Sequence, residues 1–179
     1  MDGYPGLAVL RLGHRPGRDK RMTTHVGLTA RALGAERVIL AQKAEGRRET
    51  IEDITERFGG PFTVESTDEP MAVLGNWEGT IVHLTMYGTP VQEVEGDIRG
   101  QFRGGRPLLV VVGAEKVAFD VYEHADWNVG VTNQPHSEVA SLAVFLDRLF
   151  EGSELDREWD DAEKTVVPQA EGKRVRDVE

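Results

Sequence analysis

The chain has no cysteine among its 179 residues. Disulfides, a thiolate nucleophile and cysteine-ligated zinc or iron–sulfur sites are thereby excluded, and the composition suits a reducing compartment. Long apolar runs are missing as well. None approaches the ~20 residues that span a bilayer, and the N-terminus lacks the basic-then-apolar order of a secretory signal, so a cytoplasmic protein with no membrane partner is expected. Lysine is scarce at five residues, and 31 acids against 21 bases give a formal charge of −10. On its face this argues against a nucleic-acid partner, because phosphate binding normally leaves a basic surface. It fits a salt-rich cytoplasm, where surface carboxylates maintain hydration and ionic strength screens most steering fields. Familiar catalytic signatures are absent too. The histidines at 14, 25, 83, 124 and 136 do not have HExxH spacing, no GxSxG elbow occurs, and the glycine after the run at 108–112 belongs to neither a GxGxxG nor a Walker A loop. No metal site is expected.

What is present is an alternation of β-rich and helical patterns. Leu7–Leu12, Arg37–Ala41, Phe62–Val64, Thr80–Met86, Pro107–Val112 and Asn128–Val131 read as strands. The richest are nearly continuous Val, Ile and Leu, as in strands covered on both faces. Between them, Thr24–Leu33 reads as a helix stopped by Gly34. A capping-box-like start at Thr50–Asp53 precedes Ile51, Ile54 and Phe58 at helical spacing. Val91–Arg99 and Phe119–His124 are weaker helical patterns, whereas Val139, Leu142, Ala143, Leu146, Leu149 and Phe150 mark one side of a clear final helix before Gly152. The architecture expected is α/β, a mostly parallel sheet with helices on both faces. With 39% hydrophobic residues the chain can bury one core, assigned to a single domain over residues 1–152, and residues 153–179 are expected to form a charged, flexible tail.

Two loops concentrate chemistry. Between Arg11 and Arg21 the bases Arg11, Arg15, Arg18, Lys20 and Arg21, with His14, meet only one acid, Asp19, which makes a local anion site on an acidic chain. Farther on, Asn133, Gln134, His136, Ser137 and Glu138 crowd hydrogen-bonding groups between the last strand and the last helix, where Ser137 is also a natural helix cap. The strand-to-glycine turn at Gly113–Ala114 and the apolar strand end at Leu84–Gly88 complete a set of three strand ends. Ligands collect at the carboxyl ends of parallel strands, so these three suggest an adenosine-type pocket built from backbone groups and apolar contact.

The runs Leu10-Arg-Leu-Gly-His-Arg-Pro16, Arg18-Asp-Lys-Arg-Met-Thr-Thr-His-Val26, His83-Leu-Thr-Met-Tyr-Gly88, Val112-Gly-Ala-Glu-Lys-Val117 and Asn133-Gln-Pro-His-Ser-Glu-Val-Ala140 closely resemble the archaeal tRNA (cytidine 56) 2′-O-methyltransferase family of the SPOUT class. The similarity keeps the same order from about residue 7 to 152, leaving the tail outside it. The resemblance implies a SPOUT fold with a deep C-terminal trefoil knot, a homodimer, S-adenosylmethionine as methyl donor and tRNA as partner. The acidic composition looks like that of a halophilic member. By matching motif, Leu84, then Gly113, Ala114, Glu115, Lys116 and Val117, then Val129, Gly130, Val131, Thr132, Asn133, Gln134 and Pro135 would line the cofactor pocket. Arg11, His14, Arg15, Arg18 and Lys20 would face RNA. Arg21 is the first choice for the catalytic arginine, with Arg18 second and Arg31 a live alternative. His136 or Glu138 would accept the proton. Two other readings stay open: a methyltransferase of the same class acting on ribosomal RNA, and a non-catalytic RNA-binding protein that keeps the cofactor pocket.

Overall fold

The computed structural model describes residues 6–13, 19–41, 45–113 and 116–178. Six strands, β1 (Leu7–Leu12), β2 (Arg37–Ala41), β3 (Thr63–Thr67), β4 (Thr80–Pro90), β5 (Leu108–Gly113) and β6 (Trp127–Gly130), form one sheet in the order β3-β2-β1-β5-β4-β6. Every pairing in it is parallel. Helices α1 (Lys20–Ala32), α2 (Glu45–Phe58), α3 (Pro70–Gly75), α4 (Val91–Arg103), α5 (Phe119–His124) and α6 (Glu138–Phe150) connect and follow these strands.

Alternation along the strands sorts the side chains into two layers. Leu7, Val9, Val38, Leu40, Val82, Leu108, Val110 and Val112 face the thicker layer with residues of α1, α2, α4 and α6. Ala8, Leu10, Ile39, Ile81, Leu109 and Val111 face a thinner one made by Leu74 of α3 and Val121 of α5. Because both faces are covered, β5 can be apolar at five successive positions, and Leu108 through Val112 are all buried.

Several boundaries differ from the sequence reading for identifiable reasons. Helix α1 begins four residues before Thr24, because its first turn carries exposed Lys20 and Arg21 and shows no apolar stripe; Thr24 Oγ1 donates to Lys20 O at 3.2 Å inside the helix. Helix α2 begins at Glu45, so Thr50 is an interior residue whose hydroxyl donates to Gly46 O at 3.0 Å, not a cap. Helix α3, six residues opened by Pro70, is too short to show a period, with Leu74 as its buried anchor.

The β4–β6 pairing carries the irregularity that shapes the site. Val129 pairs with both Leu84 and Thr89, so residues 85–88 leave the sheet as a bulge. Gly88 makes this possible: a Cβ there would lie 2.5 Å from backbone atoms of Asn128 and Val129. The Asn133 side chain, on the loop after β6, then clips the bulge by donating to Met86 O at 2.7 Å and Gly88 O at 2.9 Å.

The stretch read as a charged tail carries a 3-10 turn (Ser153–Asp156) and an antiparallel hairpin of β7 (Lys164–Val166) and β8 (Val175–Asp177). It docks by polar and ring contacts that an apolar count does not register. Gly60 N donates to Asp160 O at 2.9 Å, and Trp159 lies 4.1 Å from the Arg31 guanidinium and 4.5 Å from that of Arg157. Among the described residues no helix is long and apolar enough to cross a membrane.

Candidate active site

Bulge 85–88, the turn after β5 and the loop before α6 meet at the carboxyl ends of β4, β5 and β6. They enclose a cavity of about 690 Å³ lined by His83, Leu84, Thr85, Met86, Tyr87, Gly113, Lys116, Val117, Tyr122, Pro135, His136, Ser137, Glu138 and Ser141. A larger cleft of about 990 Å³ lies at the opposite ends of the strands, between Gly6, Arg37, Thr63, Pro107 and the segment Ser153–Asp160. The smaller cavity is the better candidate, because ligands of open parallel sheets bind beyond the carboxyl ends of the strands and because three sequence motifs converge there. The larger cleft gathers none of them.

The structure treats the candidate cofactor residues unequally. Leu84, Gly113, Lys116, Val117 and Pro135 line the cavity. Val129 is fully buried in the core behind it, Val131 is half-buried against that core, and Gly130 packs its Cα beside Asn133 and Gly88 O. Thr132 and Gln134 are exposed, and Asn133 acts as the clip on the bulge. Ala114 and Glu115 lie outside the described residues, as do His14, Arg15 and Arg18 of the basic segment.

Of the remaining bases, Lys20 and Arg21 are exposed on the first turn of α1. Arg11 is not available to RNA, which corrects its place among the RNA-facing residues. It shares the β1 face of Leu7 and Val9 and is 1% exposed, with Nη1 donating to Gly13 O at 2.8 Å and Thr23 Oγ1 at 2.9 Å and Nη2 donating to Glu138 Oε1 at 2.7 Å. Arg31 is likewise set aside as a catalytic alternative. It sits at the far end of α1, donates to Gly59 O and stacks on Trp159, so it belongs to the end of the sheet away from the cavity.

The loop into α6 behaves as its sequence suggests at Ser137, whose Oγ accepts from Ala140 N at 3.1 Å. Glu138 follows in the first turn of α6, where a carboxylate is favoured by the helix dipole, and turns to Arg11. His136 is exposed at the cavity wall.

His83, Thr85 and Tyr122 were not among the residues that sequence reasoning selected as a site, although His83 stands out as a polar residue inside an apolar strand. Its Nδ1 lies 2.9 Å from Asn128 Oδ1, while Asn128 Nδ2 donates to Tyr122 O at 3.0 Å. With the amide orientation set by that second bond, Nδ1 carries the hydrogen and Nε2 the lone pair. Burial pushes the His83 imidazole below its ordinary pKa, against a smaller opposing effect of the Asn128 bond. Tyr122 closes the group, with its ring edge-on to His83 at 4.7 Å and its hydroxyl 3.1 Å from Thr85 Oγ1. The arrangement offers neutral acceptors and apolar contact on one side and a charged Arg11–Glu138 pair on the other. Among the described residues no group of three or more His, Asp or Glu gathers to hold a metal ion.

Comparison with known proteins gives consistent results. The sequence pattern of the family described as "tRNA ribose 2′-O-methyltransferase, aTrm56" matches residues 58–176, and so extends over the stretch beyond residue 152. The tRNA (cytidine(56)-2′-O)-methyltransferase of Haloarcula marismortui is 70% identical over 99% of this chain and 98% of its own length. The protein of that name from Thermococcus kodakarensis is 53% identical over 97% of this chain and 98% of its own. Among solved structures, the SpoU methyltransferase AviRb from Streptomyces viridochromogenes in complex with AdoMet has a TM-score of 0.54 at 15% identity, covering 82% of this chain and 57% of that one. The A. aeolicus TrmH/SpoU tRNA modifying enzyme has a TM-score of 0.56 at 17% identity, covering 84% and 76%.

Proposed function

The chain belongs to the tRNA ribose 2′-O-methyltransferase family aTrm56, and from that premise we propose that the cavity beyond β4, β5 and β6 is its S-adenosylmethionine site and the start of α1 its RNA-facing edge. The protein is a SPOUT-class tRNA (cytidine(56)-2′-O)-methyltransferase that uses S-adenosylmethionine. The observation that carries the site assignment is the meeting of three separate sequence motifs around one cavity, whose 690 Å³ is of the size that encloses a cofactor. The residues fit that cofactor. Leu84, Val117 and Pro135 offer apolar contact to a nucleoside, and the cavity wall at Glu138 holds a buried carboxylate oxygen that lacks a donor.

When bound, S-adenosylmethionine supplies a methyl group on a positively charged sulfur. The protein's part is to hold a ribose hydroxyl in line at about 3–3.5 Å and to manage its charge and proton. The guanidinium fork of Arg21 matches phosphate geometry, and its exposure on the first turn of α1 supports a role in gripping phosphate and stabilising the developing negative charge; Arg18 is the second choice. Lys20 extends the RNA-facing edge, while His14 and Arg15, assigned to RNA by motif, lie outside the described residues. Of the two proton acceptors considered, His136 is favoured, because Glu138 is already engaged by Arg11. The same reading carries a deep C-terminal trefoil knot and a homodimer, for which the support is the family assignment. We also infer action in the cytoplasm, where tRNA is met.

Incubation with radiolabelled S-adenosylmethionine and unmodified tRNA transcripts, with and without a change of cytidine 56, tests the whole reading. Label confined to the cytidine-bearing transcript is expected. Cofactor binding without transfer to any tRNA would leave a non-catalytic binder, and label only in ribosomal RNA would move the substrate.

A further inference from the structure

Arg11 and Glu138 form a pair whose hydrogen bonding is unfinished. Arg11 Nη2 donates to Glu138 Oε1 at 2.7 Å, yet Glu138 Oε2 and Arg11 Nε are both buried with no hydrogen-bond partner. Buried polar atoms are nearly always satisfied, so an orphaned carboxylate oxygen on a residue that lines a cavity points to a donor that arrives with a ligand. Glu138 has two features that define this donor. Its partner is a guanidinium 1% exposed and anchored on Gly13 O and Thr23 Oγ1, so one side of the carboxylate is fixed against a buried cation. Without that carboxylate Arg11 would be buried with no counter-ion, the costly half of a broken ion pair. The group therefore suits a donor that brings positive charge and keeps its proton.

Resting on the assignment of this cavity as the cofactor site, we propose that Glu138 Oε2 receives the α-ammonium group of S-adenosylmethionine and that Arg11 is the positioning residue that holds the carboxylate for it. The terminal torsion of a glutamate is soft, so a turn about that bond, which moves both oxygens together, carries Oε2 towards the cavity while Oε1 shifts along the Arg11 guanidinium, whose Nε has no other partner. Lys116 on the same cavity wall supplies the opposite charge for the carboxylate of the amino-acid end. The pair also ties the cofactor side of the site to the acceptor side, since Thr23 belongs to the helix that carries Lys20 and Arg21.

Calorimetric titration of the full chain with S-adenosylhomocysteine and with methylthioadenosine tests this. The two ligands share a nucleoside thioether and differ in the amino-acid end. Glu138→Gln and Arg11→Met are expected to weaken S-adenosylhomocysteine, and S-adenosylmethionine equally, by about tenfold or more, the worth of a hydrogen bond to a charged group. Methylthioadenosine should change by less than about twofold, the double variant should lose no more than the worse single one, and Arg11→Lys should recover part of the loss. In tRNA methylation the Glu138→Gln defect should appear in KM for the cofactor rather than in kcat. Should Arg11→Met fail to fold, Glu138→Gln and Arg11→Lys still decide. Equal weakening of all three ligands, or of none, in a protein that still methylates tRNA overturns the assignment. So does a fall in kcat with unchanged affinity, which would make Glu138 the proton acceptor. If the unaltered protein binds none of the three ligands, it is the cofactor-site reading that has failed.

Discussion

Arg21 and Arg11 lie ten positions apart in one basic run, and folding gives them opposite fates. Arg21 is exposed on the first turn of α1, while Arg11 is buried under the cavity. Arg21→Ala is expected to abolish methyl transfer while leaving S-adenosylmethionine affinity within about twofold, because the residue does not line the cavity; calorimetry and a label-transfer assay on the same preparation check both halves. The distinction was legible in part. Leu7, Val9 and Arg11 alternate onto one strand face, which argues for burial, but membership of a cluster of five bases places Arg11 with the loop that follows. His83 allows a second test. Its pKa in the folded state lies below the ordinary 6.5, so the stability it contributes is complete above that pH and is lost as pH falls towards the lowered value, where the unfolded chain binds a proton that the native one refuses. Denaturant midpoints should decline below pH ~6.5, and His83→Gln should flatten that decline. An unchanged slope would show that His83 is not the group responsible.

Elements with a repeating pattern were readable, and those shaped by a contact at a distance were not. Strand β5 declares itself by five successive buried apolar residues, and α6 by its stripe and by Ser137. The start of α1 is hidden because its first turn is solvated, and α3 because six residues hold too little period. Gly88 appeared in the sequence only as the end of an apolar strand, although its role is to let β4 pass within contact of Asn128 and Val129. The missing information is the identity of the strand on the other side, which lies forty positions away and has no local signature. Gly88→Ala would put a methyl carbon 2.5 Å from that backbone, a contact that nothing flexible can relieve. The expected outcome is a loss of roughly 1–3 kcal/mol of stability, together with weakened cofactor binding as the bulge and its Asn133 clip shift. Chemical denaturation read beside S-adenosylmethionine titration checks this, and a variant as stable and as tightly binding as the parent would refute the crowding argument.

For the molecule as a whole, the acidic balance and the RNA substrate pull in opposite directions. A formal charge of −10 repels a polyanion at long range, and at low ionic strength it also repels itself, destabilising the compact state. In molar salt the Debye length shrinks to about 3 Å, which removes both penalties but also removes most of the attraction between a basic patch and phosphate. What survives is short-range and geometric: paired hydrogen bonds from arginine to phosphate, and shape. The composition is consistent with that regime, since arginine supplies most of the positive charge and lysine only five residues. Raising potassium chloride from about 0.1 M to molar levels is therefore expected to increase the thermal midpoint and to leave the KM for tRNA with a shallow salt slope, unlike that of a binder that depends on counterion release. Thermal melts and initial rates across the salt series read the two effects separately. Stability that falls with salt, or activity extinguished at molar concentration, would show that the surface carboxylates answer to something other than high salt.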